Sequence, residues 1–141
     1  MIDVIPARAE MAEMIDLNLA QLTFGSVPDR ASMQIAIDNG MAFAVIDGDR
    51  VLALGGVRNV WQDRAVAWGL LANGIGASMV PITRAVRRFL SVCPTRRIEA
   101  EVAVGHDEGL RWIEMLGFER EGLMRAYWGG KDFYLYARVR D

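Results

Sequence analysis

The amino-acid sequence predicts an α/β domain with a mixed α+β sheet, in the order β-α-α-β-β-β-α-β-α-β-β. First, apolar residues recur at helical spacing before Met41, and short apolar runs bounded by turn residues follow it. Second, an apolar strand over residues 65–72 precedes a glycine turn, a helix and another strand, which together form a right-handed parallel crossover. Third, the chain ends in two alternating runs joined at Gly129-Gly130, which is typical of a hairpin.

The bulk composition sets the class of protein. A chain of 141 residues has the size of one domain, so we expect residues 1–141 to form a single domain. The net charge of −2 gives nucleic acid no attractive field, so nucleic-acid binding is disfavoured. Cys93 is the only cysteine and His106 the only histidine, which excludes a disulfide framework and leaves too few ligands for zinc or iron–sulfur. We therefore expect no metal.

The same sequence indicates a cytoplasmic protein. Residues 1–6 lack the basic lead and apolar run of a signal peptide, and a single cysteine fits a reducing compartment. Residues 65–83 carry no charge, but glycines and Pro81 interrupt them. We interpret this stretch as a strand, a turn and the start of a helix, and expect no membrane partner.

The first third of the chain predicts one strand and two helices. A strand over residues 2–5 stops at Pro6, which has no N–H to donate. An amphipathic helix reaching about Leu19 follows, because apolar residues recur at helical spacing at Ala7, Met11, Met14 and Ile15. The second helix starts at Ser26–Asp29, where Ser26 can cap it, and ends at Asn39-Gly40.

The middle of the chain predicts an antiparallel meander. Apolar runs over residues 41–46 and 51–57 flank Asp47-Gly48-Asp49-Arg50, which has the turn chemistry of a hairpin. A polar break over residues 58–63 then precedes the strand over residues 65–72.

The last part predicts two helices and three strands. A helix starts at about Met79, with Ser78 able to cap it, and a strand over residues 97–102 alternates apolar and charged residues. Gly117 ends a helix that starts at about His106, and a terminal hairpin completes the order.

This order, with Leu116-Gly117-Phe118 after the last helix and a glycine turn after the fourth strand, resembles the GCN5-related N-acetyltransferase (GNAT) fold over nearly the whole chain. The most specific part runs from His106 to Tyr127, where Gly117-Phe118 and Gly122 are similar to the Gly-Phe-x-x-x-Gly pattern of the family. The resemblance is closest to small GNAT-like proteins encoded in bacteriophage genomes, some of which resemble virion components.

The resemblance implies acetyl-CoA as co-substrate, held in a cleft between the fourth and fifth strands. The strand that pairs with pantetheine would be Leu70, Leu71 and Ala72. His106 lies close to where family members contact the cofactor. The turn that holds the pyrophosphate would consist of Asn73, Gly74, Ile75, Gly76, Ala77 and Ser78.

The sequence departs from the family pattern at two places. Leu71 stands three residues before Gly74, where family members usually have arginine or glutamine. Ile113 stands where many family members have the tyrosine that protonates the leaving thiolate, and isoleucine has no proton to donate. A lone Gly-x-Gly also occurs in turns that only need positive φ angles, so phosphate binding and a purely structural turn both remain open.

Three residues are candidates for the chemistry. Glu99 and Glu101 lie two apart on one strand, hence on one face, and either can accept a proton from an amine. The alternative is that they pair with arginines such as Arg97. Tyr127 can supply a phenol, although strand tyrosines usually pack their rings with the hydroxyl at the surface. For His106, the roles of base, cofactor contact and helix-end residue are open.

Two main hypotheses follow. One is an acetyl-CoA-dependent N-acetyltransferase acting on a small-molecule or protein amine, with acceptor loops at residues 22–27 and 58–63. The other is a catalytically inactive structural or interaction protein on the same fold, such as a phage virion or assembly component. Ile75 or Trp68 filling the cleft would favour the second. A third possibility is a binding module for nucleotides. An exposed edge of the terminal hairpin would allow a homodimer.

Overall fold

The computed structural model of the chain describes residues 1–18 and 28–141. In these residues, four α-helices accompany a seven-stranded sheet. The elements are β1 (Ile2–Pro6), α1 (Met11–Met14), α2 (Arg30–Asp38), β2 (Gly40–Asp47), β3 (Arg50–Trp61), β4 (Arg64–Leu71), α3 (Met79–Val92), β5 (Arg97–Ala103), α4 (Asp107–Met115), β6 (Glu119–Trp128) and β7 (Lys131–Val139). A short 3₁₀ turn, Gly76–Ser78, precedes α3. This order confirms the predicted fold class.

The sheet has the strand order β1-β2-β3-β4-β5-β7-β6. β4 and β5 run parallel, whereas the other neighbouring strands run antiparallel. Parallel strands need a crossover connection, and α3 supplies it here. Along the described chain, the β4–β5 pairing covers Arg64–Val66 and Arg97–Glu99. Past these residues the two strands separate.

The helices α3 and α4 lie on the same face of the sheet and contact each other. The indole N–H of Trp112 donates to the hydroxyl of Thr83 at 2.9 Å, and the Arg87 guanidinium donates to the carbonyl of Met115 at 2.6 Å. Phe89 of α3 packs against Phe43 of β2, with ring centroids 4.8 Å apart. Ile82, at 0% exposure, anchors α3, and burial of such a side chain contributes about 2 kcal/mol.

The first helix ends earlier than the sequence predicts. α1 ends at Met14, and Ile15 already has extended backbone angles. The physical reason is a competing partner: the N–H of Asn18 donates to the carbonyl of Leu71 at 2.9 Å, and the N–H of Asn73 donates to the carbonyl of Asp16 at 2.7 Å. The segment after α1 thus extends the sheet. Leu19, the predicted end, lies outside the described residues.

The start of the second helix depends on Asp29. Its carboxylate accepts the N–H of Ser32 at 2.7 Å, which satisfies one of the free donors of the first turn. Ser26, the predicted cap, lies outside the described residues.

The predicted polar break at residues 58–63 is a hairpin instead. β3 continues to Trp61, β4 begins at Arg64, and Asp63 turns the chain with a φ of 65°. The Arg64 guanidinium lies 4.4 Å from the ring centroid of Trp61, so a cation–π contact holds the two strand ends together.

None of the helices in the part of the chain described here is long and apolar enough to cross a membrane.

Candidate active site between two splayed strands

The separation of β4 and β5 opens a cavity of about 440 Å³. Residues 67–69 of β4 and 100–103 of β5 line its two sides, and side chains of α3 and α4 close it from one face. This volume lies in the range of small-molecule sites. Trp68 lines the cavity, whereas Ile75 belongs to the first cluster of buried side chains and is not part of the lining.

Hydrogen bonds at the ends of β4 show which backbone groups face the gap. The carbonyl of Asp63 accepts the N–H of Arg97, so it points toward β5. The carbonyl of Leu71, an even number of residues further on, points to the same side of β4 and accepts the N–H of Asn18. The N–H of Ala72, in contrast, donates to the carbonyl of Leu52 at 2.9 Å, so it points toward β3. Because strand residues alternate in direction, the N–H and carbonyl of Gly69 face the gap.

The backbone of the predicted pantetheine strand is therefore partly engaged elsewhere. Leu70 pairs with Leu54 of β3, and Ala72 also bonds to β3. The carbonyl of Leu71 accepts the N–H of Asn18, which leaves its own N–H directed at the gap side. Among the described residues, 1–18 and 28–141, the free edge is thus Gly69 and the N–H of Leu71.

The glycine turn is a compact structure with an exposed tip. Gly74 has a φ of 67°, and the N–H of Ser78 donates to the carbonyl of Ile75 at 2.7 Å. Ile75 is buried, whereas Gly76 and Ala77 are exposed. The expectation that Ser78 caps α3 is wrong: its backbone is already helical, and its side chain makes no capping bond.

An arginine that sequence reasoning missed stands beside this turn. Nη2 of Arg50 donates to the carbonyl of Asn73 at 2.6 Å, and a Cβ at Gly74 would lie 4.0 Å from the same atom. The β3–β4 register pairs Ala53 with Leu71, so its extension sets Arg50 opposite Gly74. The turn thus obtains a cation from the β2–β3 hairpin, although its own sequence carries none.

Glu99 lies at the closed end of the gap and is fully engaged. Its carboxylate accepts from Nε and Nη2 of Arg64 at 2.6 and 2.9 Å, and from Nε of Arg97 at 2.7 Å. Arg97 also donates to Glu121 at 2.5 Å. The bonds from Arg64, with those from Arg97, lower the pKa of Glu99 to about 2. Glu99 is therefore an ionised clamp between β4 and β5.

Glu101 and Tyr127, two of the predicted catalytic residues, are in direct contact. The phenol donates to Oε1 of Glu101 at 2.7 Å, and this bond raises the pKa of Tyr127 to about 12. Glu101 lines the cavity, and the ring of Tyr127 packs edge-on against Phe133, which lines it too. Glu99 and Glu101 share a face of β5, which is opposite to the face where Tyr136 donates to Glu114 of α4. A carboxylate with an oriented hydroxyl thus stands at the open end of the gap.

A strained residue sets the position of Tyr127. The β6–β7 register shifts between Met124 and Trp128, and Ala126 has a φ of +48°, in the left-handed region. The carboxylate of Asp132 accepts the N–H of Ala126 at 2.8 Å and holds this conformation. The irregularity turns Tyr127 toward Glu101.

We expect Ala126→Gly to raise the free energy of unfolding by about 1 kcal/mol, because glycine adopts positive φ without strain. Urea unfolding at pH 7 measures the change. Ala42→Gly in the regular strand β2 is the control, and should instead destabilise by a similar amount. A loss of stability in both variants would show that the backbone at Ala126 is not strained.

His106, Ile113 and Trp68 also line the cavity. His106 precedes α4, and its imidazole lies over Gly109, where a Cβ would come within 2.4 Å of Cδ2. The indole nitrogen of Trp68 is enclosed and meets no hydrogen-bond partner in residues 1–18 and 28–141. Across those ranges, no three His, Cys, Asp or Glu side chains are grouped to hold a metal ion.

The architecture is similar to that of solved structures. A scan against protein-family models gives no match, and a search of curated proteins gives none. The ribosomal-protein-S5-alanine acetyltransferase of Vibrio fischeri superposes with a TM-score of 0.74 at 14% identity, over 99% of this chain and 93% of that one. Mutant forms of the spermidine/spermine N-acetyltransferase of Vibrio cholerae give 0.70 at 17% identity, over 99% and 95%.

A GNAT superfamily phosphinothricin acetyltransferase of Sinorhizobium meliloti, solved in complex with AcCoA, gives a TM-score of 0.71 at 18% identity, over 98% of this chain and 88% of that one. In all three, the superposition spans the separated strands as well as the outer elements. The chain therefore has the fold of the GNAT acetyltransferases.

Proposed function

We propose that this protein is an acetyl-CoA-dependent N-acetyltransferase that transfers the acetyl group directly to a primary amine. The observation that carries the proposal is the Glu101–Tyr127 pair at the open end of the gap between β4 and β5. The names of the structural neighbours support it, since they include acetyltransferases for spermidine/spermine and for a ribosomal-protein alanine. One neighbour was solved with AcCoA bound.

The gap fits the pantetheine arm of the co-substrate. Pantetheine carries two amides, which can pair with a strand edge, and Gly69 and the N–H of Leu71 provide such an edge. The cavity lining is mainly apolar, which suits the methylene groups between those amides. We place the pairing position at Gly69 and Leu71, because Leu70 and Ala72 bond to β3.

The glycine turn and Arg50 would hold the pyrophosphate. Helix starts present free N–H groups, and α3 begins directly after the turn. Arg50 adds a full positive charge beside Gly74. His106, at the start of α4 and in the cavity lining, would contact the same ligand from the β5 side.

Glu101 is the group that can take the proton. The attacking amine must be neutral, and it loses a proton as its bond to the acyl carbon forms and the C–S bond breaks. Tyr127 holds the carboxylate in place, and its phenol stays protonated because its pKa is about 12. Ile113 has no proton to give, so the proton that Glu101 accepts must return to the sulfur, directly or through solvent.

The test is calorimetric titration with acetyl-CoA, followed by thiol release with a panel of amines. We expect micromolar binding, which corresponds to about 8 kcal/mol. The panel should contain polyamines and peptides with a free N-terminal alanine. A purified, folded protein that neither binds acetyl-CoA nor releases thiol with any amine would overturn the proposal.

Arg50→Ala should weaken acetyl-CoA binding about tenfold, because a charge-assisted contact to phosphate would be lost. S-acetylpantetheine, which lacks the pyrophosphate, should bind the variant and the parent equally. Arg125→Ala, on the edge strand β6, is the matched control and should leave both affinities unchanged. Equal losses for both ligands would show that Arg50 acts through the fold rather than on phosphate.

The second candidate is a catalytically inactive interaction protein on this fold, such as a phage virion or assembly component. Ile113 in the cavity wall favours it, because the usual thiolate acid is replaced by an apolar side chain. β6 also lies at the sheet edge with Leu123 and Trp128 exposed, which suits pairing with a second copy of the chain. Binding of acetyl-CoA without thiol release for any amine would support this candidate.

A further inference from the structure

Arg58 is an unpaired cation on β3, and its side chain is exposed. Within residues 1–18 and 28–141, its guanidinium makes no hydrogen bond and no ion pair. Residues 19–27 contain no aspartate or glutamate, so that segment has no carboxylate to offer it. The guanidinium of Arg58 is therefore available to an anion from outside the chain.

The strand register places Arg58 on the same face of the sheet as the candidate base Glu101. Arg58 pairs with Val66 of β4, and Val66 pairs with Glu99 of β5. Residues paired in this way point to one face of a sheet, and Glu101, two residues past Glu99, shares that face. From the usual spacings of strands and residues, the Cα atoms of Arg58 and Glu101 lie at least about 12 Å apart. The two side chains thus stand on one surface without touching.

The charge of Arg58 acts on the hydroxyl of Tyr127, the partner of Glu101. The bond to Glu101 raises the pKa of this phenol, and the positive charge of Arg58 opposes the rise. Interactions with exposed charges are largely screened beyond about 8 Å, so the guanidinium lies close to this hydroxyl. Arg58 is therefore a neighbour of the Glu101–Tyr127 pair.

The charged side chains that join β4, β5 and β6 on this face already neutralise one another. They form one chain of ion pairs, which runs Arg64–Glu99–Arg97–Glu121. Beside this chain, and within the part of the protein that the structure describes, neither Glu101 nor Arg58 has an ion pair of its own. The face thus offers one unpaired anion and one unpaired cation to a ligand.

We propose that Arg58 binds a carboxylate of the acceptor, so that the protein acetylates primary amines that also carry a carboxylate. This rests on the proposed function. The ammonium form of such an acceptor meets Glu101 and its carboxylate meets Arg58, so each charge of the zwitterion meets the opposite charge. A polyamine would bring a second cation toward Arg58, which repels it.

Arg58 selects the acceptor and takes no part in making or breaking bonds. The amine loses its proton on the side of Glu101 as the C–N bond forms and the C–S bond breaks, while the carboxylate at Arg58 stays unchanged. A residue with this role acts on the binding of one substrate, so its effect belongs in KM for the acceptor.

The test compares acceptors that differ only at the end remote from the reacting amine. ω-Amino acids of increasing chain length carry a carboxylate there, the matching ω-amino amides are neutral, and the matching diamines carry a second cation. An α-amino acid, and a peptide with a free N-terminus and an acidic second residue, distinguish a free amino acid from a polypeptide as the source of the carboxylate. Thiol release from acetyl-CoA gives kcat and KM for each acceptor, and calorimetry gives the affinity for acetyl-CoA.

We expect kcat/KM of the best ω-amino acid to exceed that of its amide about tenfold, and the diamine to be poorer still. Arg58→Gln should remove the advantage of the carboxylate through KM, Arg58→Lys should keep most of it, and Arg58→Glu should reverse the order in favour of the diamine. Arg88→Gln, which removes an exposed charge of α3 on the other face of the sheet, is the matched control and should keep the order of the parent. Affinity for acetyl-CoA should stay within about twofold in every variant, because Arg58 acts on the acceptor.

Equal kcat/KM for carboxylate, amide and diamine in the parent protein would overturn the proposal. So would a preference that Arg58→Gln leaves unchanged, or a loss of acetyl-CoA affinity in Arg58→Gln that matches its loss of activity. Failure of the proposed function is a different result: the parent would bind no acetyl-CoA and release no thiol with any acceptor, and the role of Arg58 would fall with it.

Discussion

Glu101→Gln is expected to lower kcat/KM for acetyl transfer by about 10² to 10⁴-fold, the usual contribution of a general base. Glutamine keeps the size of the side chain and can still accept the bond from the Tyr127 phenol, but it cannot take up the proton of the amine. Binding of acetyl-CoA should stay within about twofold, because the substituted group acts on the acceptor. Thiol release with a competent amine, and calorimetry for binding, measure the two effects separately.

Glu108→Gln is the matched control, since Glu108 lines the same cavity at the first turn of α4. It should leave the rate close to that of the parent. Tyr127→Phe should cost only about tenfold, because the carboxylate remains but loses the hydroxyl that orients it. Because the pKa of Tyr127 is about 12, ionisation of the phenol should not shape the rate profile below about pH 11. An unchanged rate in Glu101→Gln would remove Glu101 from the mechanism.

Glu99→Gln is expected to lower the free energy of unfolding by about 3 kcal/mol at pH 7. The side chain of Glu99 is 9% exposed, and three charge-assisted bonds from Arg64 and Arg97 meet on it. A pKa of about 2 against a usual 4.5 corresponds to a contribution of this size. Urea unfolding of both proteins gives the difference directly.

The same pKa fixes how this difference depends on pH. Because the folded pKa lies below the unfolded one, the stabilisation is complete above about pH 4.5 and is lost as the pH falls toward 2. The curves of parent and variant should therefore converge in that window. Glu121→Gln is the control: its side chain is 39% exposed, so its pair with Arg97 should contribute below about 1 kcal/mol. Equal losses of unfolding free energy in Glu99→Gln and Glu121→Gln would show that Glu99 does not act as a clamp between β4 and β5.

The fold was predictable because each element has its own pattern. The change from helical to alternating spacing near Met41, the glycine turn at residues 74–78 and Gly117-Phe118 depend on neighbours close in sequence. The end of α1 was not predictable, since it depends on Asn18 pairing with Leu71 at the end of β4 and on Asp16 pairing with Asn73 just beyond it. A contact over more than fifty residues leaves no local signal.

The candidate site, like the fold, has features that local sequence predicts and features that depend on residues distant in sequence. Glu101 and Tyr127 can each be named from the sequence, but their contact depends on the irregular register of β6 and the strained Ala126. Glu99 has the same residue type and faces the same way as Glu101, yet its arginine partners come from two strands. Arg50 reaches the glycine turn only through the β3–β4 register. In each case, the sequence shows which side chain is present, but the residue that it contacts is set by the fold.

The short contact between β4 and β5 limits how cooperatively the two halves of the sheet unfold. Three residue pairs join an antiparallel half, β1–β4, to a second antiparallel half, β5–β7, and the two clusters of buried side chains are centred on different halves. Such units can open with separate free energies. A molecule paired with the free edge of β4 and packed against β5 would supply the connection that the backbone lacks. Amide hydrogens of both halves would then exchange at a common, slower rate, so that occupancy of the gap would be visible far from it.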